Sequence, residues 1–167
     1  MNLEELVQKL NAVDPKDLEA LKKSIDNYKE IILIGNGGSN AIASHMAVDY
    51  TKFLNKKCYV PNASDLMTMI VNDFGKEEMY SKFIEYYYSN DTLVILISSS
   101  GNSKNIVEAA ITCYDLNLPV IVLTGFNKSN VLNNLELSNI IQKIYVDSKN
   151  YGVVEMAHHS ILHSVVC

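Results

Sequence analysis

No arginine occurs anywhere in the chain; all fourteen basic residues are lysine. An anion bound here must be held by amides, hydroxyls or lysine, without a bidentate guanidinium fork. Basic runs are missing as well, and the net charge is −5, which together argue against a nucleic-acid surface. Apolar runs stay well short of the roughly 18 residues a membrane span needs, and no basic-then-apolar leader opens the chain. The expectation is a cytoplasmic protein with no membrane partner. Cysteine is scarce: Cys58, Cys113 and Cys167 are odd in number and lack CxxC spacing. Cys58 and Cys113 lie in or beside apolar segments and read as buried thiols. Internal linkers and low-complexity stretches are absent too.

What is present fits one domain across residues 1–167, long enough for an ample core. Residues 3–12 and 15–28 read as an N-terminal helix pair. In the second, Asp14 is the expected N-cap, Pro15 suits the first helical position, and Leu18, Leu21 and Ile25 share a face. Apolar runs follow at 30–34, 57–60, 93–97, 119–123 and 140–146. Helical patterns lie near 39–54, 65–73, 77–89, 102–117 and 130–135, with a last one at 152–166. Runs such as Leu-Val-Ile-Leu-Ile do not alternate with polar residues, as expected of strands covered on both faces by helices. The order predicts an α/β fold: a doubly wound, five-stranded parallel sheet with right-handed crossovers.

Two apolar runs break into small-residue turns before a helix. Ile31–Ile34 leads into Gly35-Asn36-Gly37-Gly38-Ser39, and Leu93–Ile97 leads into Ser98-Ser99-Ser100-Gly101-Asn102-Ser103. In a parallel sheet such turns sit at the carboxyl ends of strands, where helix N-termini attract anions. The first is neither a dinucleotide fingerprint, since Asn40 stands where the third glycine belongs, nor a Walker loop. The second carries more hydroxyls than a turn requires, and Ser100, Asn102 or Ser103 is a candidate cap for the next helix. A phosphorylated small molecule is the expected guest.

His45 and Asp49 are four apart and share a helix face. The last helix carries Glu155, His158, His159 and His163, so three of the four histidines fall within six residues. Glu155–His159 and His159–His163 are each four apart, a spacing suited to ligands or acid–base partners.

Taken in order, GNGGSNAIASHMAVDY at 35–50, NDFG at 72–75, ISSSGNSKN at 97–105 and LTG at 123–125 resemble the SIS (sugar isomerase) domain. Within it the chain is similar to the phosphoheptose isomerases, which interconvert sedoheptulose 7-phosphate and D-glycero-D-manno-heptose 7-phosphate. The resemblance spans nearly the whole chain and ends on Glu-x₇-His where that family has Gln-x₇-His. It implies substrate phosphate on Ser98, Ser99, Ser100 and Ser103, in a site shared with Gly37 and Gly38. It implies contacts to the sugar or its loop from Asn36, Ser39 and Asp73. It further implies a metal site, usually zinc, at His45, Asp49, Glu155 and His163, with a carboxylate as base and His163 as acid. Relatives assemble as dimers or tetramers, which implies a homo-oligomer; the N-terminal helix pair, which precedes the first strand, is expected to pack on a neighbouring subunit.

Three positions depart from that family's pattern. Asp49 stands where it has glutamate, one methylene shorter; Glu155 replaces a neutral amide; Gly152 replaces an aspartate. Either Asp49 or Glu155 can serve as the base. Glu155 and His163 are about 12 Å apart along a regular helix, which leaves His159 as an alternative ligand. The rival expectations are an isomerase for another sugar phosphate, or a SIS module that binds a phosphosugar or a protein partner without turnover.

Overall fold

The computed structural model describes residues 2–166; Cys167 lies outside them. Five strands form one sheet: β1 (Glu30–Gly35), β2 (Lys57–Tyr59), β3 (Thr92–Ser98), β4 (Val120–Gly125) and β5 (Ile140–Val146). All neighbours are parallel, in the order β2-β1-β3-β4-β5. The order reverses between β1 and β3, the switch point where open α/β sheets leave a crevice at their strand ends. Among the described residues the eight helices are α1 (Leu3–Asn11), α2 (Pro15–Asn27), α3 (Gly38–Leu54), α4 (Ser64–Phe74), α5 (Met79–Tyr87), α6 (Lys104–Asp115), α7 (Val131–Asn134) and α8 (Tyr151–His163).

Alternation along each strand splits the core in two. Ile31 and Leu33 of β1, with Leu93, Ile95 and Ile97 of β3, pack with Met46 and Tyr50 of α3 and Val154 and Ile161 of α8. The intervening Ile32, Ile34, Val94 and Leu96 face Ile70 of α4, Phe83 of α5 and Ile106 of α6. Every residue of β3 is buried, which is why its sequence shows no polar alternation. Each such buried aliphatic side chain contributes roughly 1.5–3 kcal/mol. The edge strand β5 alternates between partly buried and exposed over its first half, as one covered face requires.

The expected boundaries shift by a residue or two, as helix ends generally do. The last helix is shorter than expected, stopping at His163, with Ser164 as its cap. Asp14 accepts from the Lys16 amide at 2.9 Å, with Pro15 opening α2. That helix buries Leu21 and Ile25 in this chain's own core, and α1 lies against α8, leaving Leu3 and Val7 exposed. Asn150 caps α8 through the Gly152 amide, at 3.0 Å.

Candidate active site

The turns after β1 and β3 meet over the switch point. Their polar side chains line a cavity of about 110 Å³, formed by Asn36, Ser39, Ser98, Ser99, Ser100 and Ser103, with Ile97, Tyr151 and Glu155. Ser98 accepts from the Gly101 amide at 3.2 Å, closing the second turn. Gly101 has φ +63°, and a side chain there would collide with Asn130, so glycine is required. Ser103 occupies the N-cap position of α6 but makes no side-chain cap bond. Its hydroxyl lines the cavity instead. Ser99 is 5% exposed and its buried Oγ has no partner. A buried, unsatisfied hydroxyl costs free energy, so an anion accepting from it would stabilise this turn.

One bridge between the two turns escaped sequence reading. Asn36 and Asn105 exchange amide hydrogen bonds of 3.0 Å, and the Tyr80 hydroxyl donates to the Gly35 carbonyl at 2.7 Å while lying 3.0 Å from Asn36 Oδ1. Burial pushes the Tyr80 hydroxyl up to about 12, so it stays protonated. Asn105 lies inside the SKN stretch at 103–105, but no local spacing announces a partner in another turn.

Beyond the cavity, α3 and α8 pack side by side. Asp49 Oδ2 stands 3.1 Å from His45 Nε2 and 3.2 Å from His163 Nε2. The three ligand atoms lie within 4.8 Å of one another. Two imidazole nitrogens and a carboxylate oxygen, converging in this way, fit a divalent ion such as zinc. The His159 ring meets His45 edge-on at 4.7 Å, and its buried Nε2 has no partner. Burial, then the neighbouring His45 and His163, hold its pKa below the usual imidazole value.

Glu155 is not part of that convergence. It stands nearer the start of α8, against the first turn of α3: a Cβ on Gly38 would meet Glu155 Oε1 at 2.5 Å. The amino end of a helix favours a carboxylate. Glu155 also lines a groove of about 550 Å³ with Gly38, Gly152, Met156, His45 and His159. Glu155 thus borders both the serine cavity and the groove that reaches His45 and His159.

The remaining expected residues fall as follows. Gly37 is the N-cap of α3. Asp73 is exposed on α4, accepting from Asn72 at 2.8 Å, and does not line the cavity. His158 is fully buried, with Nε2 3.0 Å from the Thr124 carbonyl. Burial raises the pKa of both Cys58 and Cys113, the latter to about 12, so neither offers a ready thiolate.

Comparison with known proteins gives the relationship. The SIS domain family model matches residues 3–125. A phosphoheptose isomerase of Buchnera aphidicola subsp. Acyrthosiphon pisum is 31% identical over 166 residues, covering 92% of this chain and 83% of that one. The structure of a phosphoheptose isomerase from Francisella tularensis superposes with a TM-score of 0.86 at 25% identity, covering 98% of this chain and 89% of the other. One from Neisseria gonorrhoeae shares the fold with a TM-score of 0.84 at 23% identity, covering 96% and 90%. No helix among the described residues is long and apolar enough to cross a membrane. By sequence along most of its length, and by fold across nearly all of it, this chain belongs to the SIS domain family, within it to the phosphoheptose isomerases, and is an enzyme of the isomerase class.

Proposed function

We propose that the chain interconverts an aldose phosphate and its ketose partner, with sedoheptulose 7-phosphate and D-glycero-D-manno-heptose 7-phosphate as the pair. The observation that carries this reading is that Glu155 borders both a polar, hydroxyl-lined cavity and a groove reaching His45 and His159. A phosphoryl group on Ser98, Ser99, Ser100 and Ser103 anchors the substrate away from its reacting carbons, so that binding energy positions the chain. Asn36 and Ser39 meet its oxygens from the other turn.

After ring opening, Glu155, its side chain swung toward the histidine cluster, removes the proton from the carbon beside the carbonyl, and the carbonyl oxygen takes a proton from His163. The resulting enediol collapses the other way: the hydroxyl on the neighbouring carbon returns a proton, and Glu155 delivers its own to the former carbonyl carbon. Asp49 is less suited to the first step, because its Oδ2 already faces two imidazole nitrogens. His45, Asp49 and His163 would hold a zinc ion, with Glu155 closing on it if its side chain swings toward them. When bound, the ion supplies electrostatic stabilisation of the enediolate oxygens. In that state the His163 nitrogen is a ligand; without the ion it is the acid.

On the same reading the enzyme works in the cytoplasm as a homo-oligomer, a dimer or tetramer, with residues 1–167 forming one domain. The exposed Leu3 and Val7 of α1 and Val48 and Phe53 of α3 support an apolar subunit contact.

The test is proton exchange in D₂O with sedoheptulose 7-phosphate, followed by NMR. Deuterium beside the carbonyl, with an aldose phosphate product, is the expected result. Binding without exchange, across a panel of pentose, hexose and heptose phosphates, would leave a non-catalytic module and overturn the enzyme reading.

A further inference from the structure

We propose that Tyr151 is a specificity-determining residue of the serine cavity, its ring forming a wall against the carbon atoms next to a bound phosphoryl group; this rests on the sugar-phosphate reading above. The cavity is otherwise polar. Only Ile97 and Tyr151 bring sizeable hydrocarbon to its lining, and Ile97 is fully buried. Tyr151, 61% exposed, is therefore the large apolar surface at the mouth.

Its place in the helix gives it a route to the substrate. Tyr151 opens α8, and Glu155 follows one turn later, so both side chains fall on one face and both line the cavity. A carbon chain leading from the serine hydroxyls toward the Glu155 carboxylate passes the ring. Sugar C–H groups carry slight positive charge and pack on the electron-rich face of an aromatic ring. Polar hydroxyls on the opposite side of the chain remain free for Asn36 and Ser39.

The ring is also braced. Phe126 meets it edge-on, with centroids 4.5 Å apart and planes at 83°. Phe126 does so from a left-handed backbone, φ +59°, unusual for a bulky residue, with its amide donating to the Ser148 carbonyl at 3.0 Å. Strained backbone of this kind gathers at ligand-binding places. Fixing a tyrosine that stays mostly exposed gains little for folding. It gains a defined surface at the cavity mouth.

The test compares two probes by calorimetry: inorganic phosphate, which is too small to reach the ring, and sorbitol 6-phosphate, which lacks a carbonyl and cannot isomerise. Tyr151→Ala is expected to weaken sorbitol 6-phosphate roughly five- to tenfold, in line with one lost aromatic contact. Phosphate affinity stays as in the wild type, and Tyr151→Phe keeps wild-type affinity for both probes. Unchanged sorbitol 6-phosphate binding in Tyr151→Ala, or equal weakening of both probes, would overturn the wall while leaving the sugar-phosphate reading intact. So would a Tyr151→Phe variant as weak as Tyr151→Ala, because the hydroxyl would then be the contact. A wild-type protein that binds neither probe would overturn the sugar-phosphate reading and this inference together.

Discussion

Asp49 of α3 and His163 at the end of α8 meet at 3.2 Å, Oδ2 to Nε2, although most of the chain separates them. The same oxygen is 3.1 Å from His45 Nε2, so one carboxylate holds an imidazole of its own helix and one from across the helix seam. Removing its charge while keeping its shape is the sharpest probe of the cluster. Asp49→Asn should lower zinc or cobalt affinity at least tenfold, since the amide offers a far weaker ligand oxygen. A metal titration with wild-type affinity in this variant would remove Asp49 from the ligand set.

Gly38 gives a case in which stability and activity separate. Alanine suits the helical backbone there, and at this first helical position its gain over glycine stays below the roughly 0.5–1 kcal/mol of a mid-helix site. Its Cβ would stand 2.5 Å from Glu155 Oε1, so the flexible carboxylate must move. Gly38→Ala is expected to melt no lower than wild type while kcat falls tenfold or more. Normal turnover in this variant would show that the Glu155 position is not critical.

The bridge between the turns predicts a mixed outcome for Tyr80→Phe. The change strips the Gly35 carbonyl of its 2.7 Å hydrogen bond in a buried setting. A cost of about 1–2 kcal/mol is expected from urea unfolding. Inorganic phosphate should bind more weakly as well, because Asn36 loses a neighbour that holds it at the cavity. An unchanged phosphate affinity would confine Tyr80 to folding.

His158 links stability to acidity. Burial lowers its pKa to about 4, against an ordinary 6.5, and the hydrogen bond to the Thr124 carbonyl only partly opposes this. Between these values the unfolded chain binds more protons than the folded one, so stability falls as pH drops. The contribution is complete above pH 6.5, fades through the window down to pH 4 and is level below it. At pH 5 the loss from this group is about 2 kcal/mol. Unfolding of wild type and His158→Asn at pH 8 and pH 5 should show a shallower slope for the variant. Parallel slopes would refute the assignment.

Much of the fold is legible locally because both faces of the central strands are buried. A strand such as Leu93–Ile97 then needs apolar residues at every position, and no helix face reads that way. The N-terminus of α2 is equally local, since Asp14 and Pro15 act within one turn. The turns after β1 and β3 stand out for their glycines and serines. Ser103 sits where a cap would, and only the packing of the two turns puts it on the cavity wall.

Helical periodicity alone sets Glu155, His159 and His163 along one stripe of a helix and His45 and Asp49 along another. Which members of the two stripes meet depends on how the helices pack. The packing of α3 against α8 brings Asp49 to His163 and sets Glu155 over Gly38, two turns away on α8. Likewise, Asn105 reaches Asn36, and Phe126 reaches Tyr151, across turns that the chain itself does not join. The reason is that periodicity fixes a side chain's direction around its own axis, whereas distances between axes come from how whole faces of buried side chains interlock.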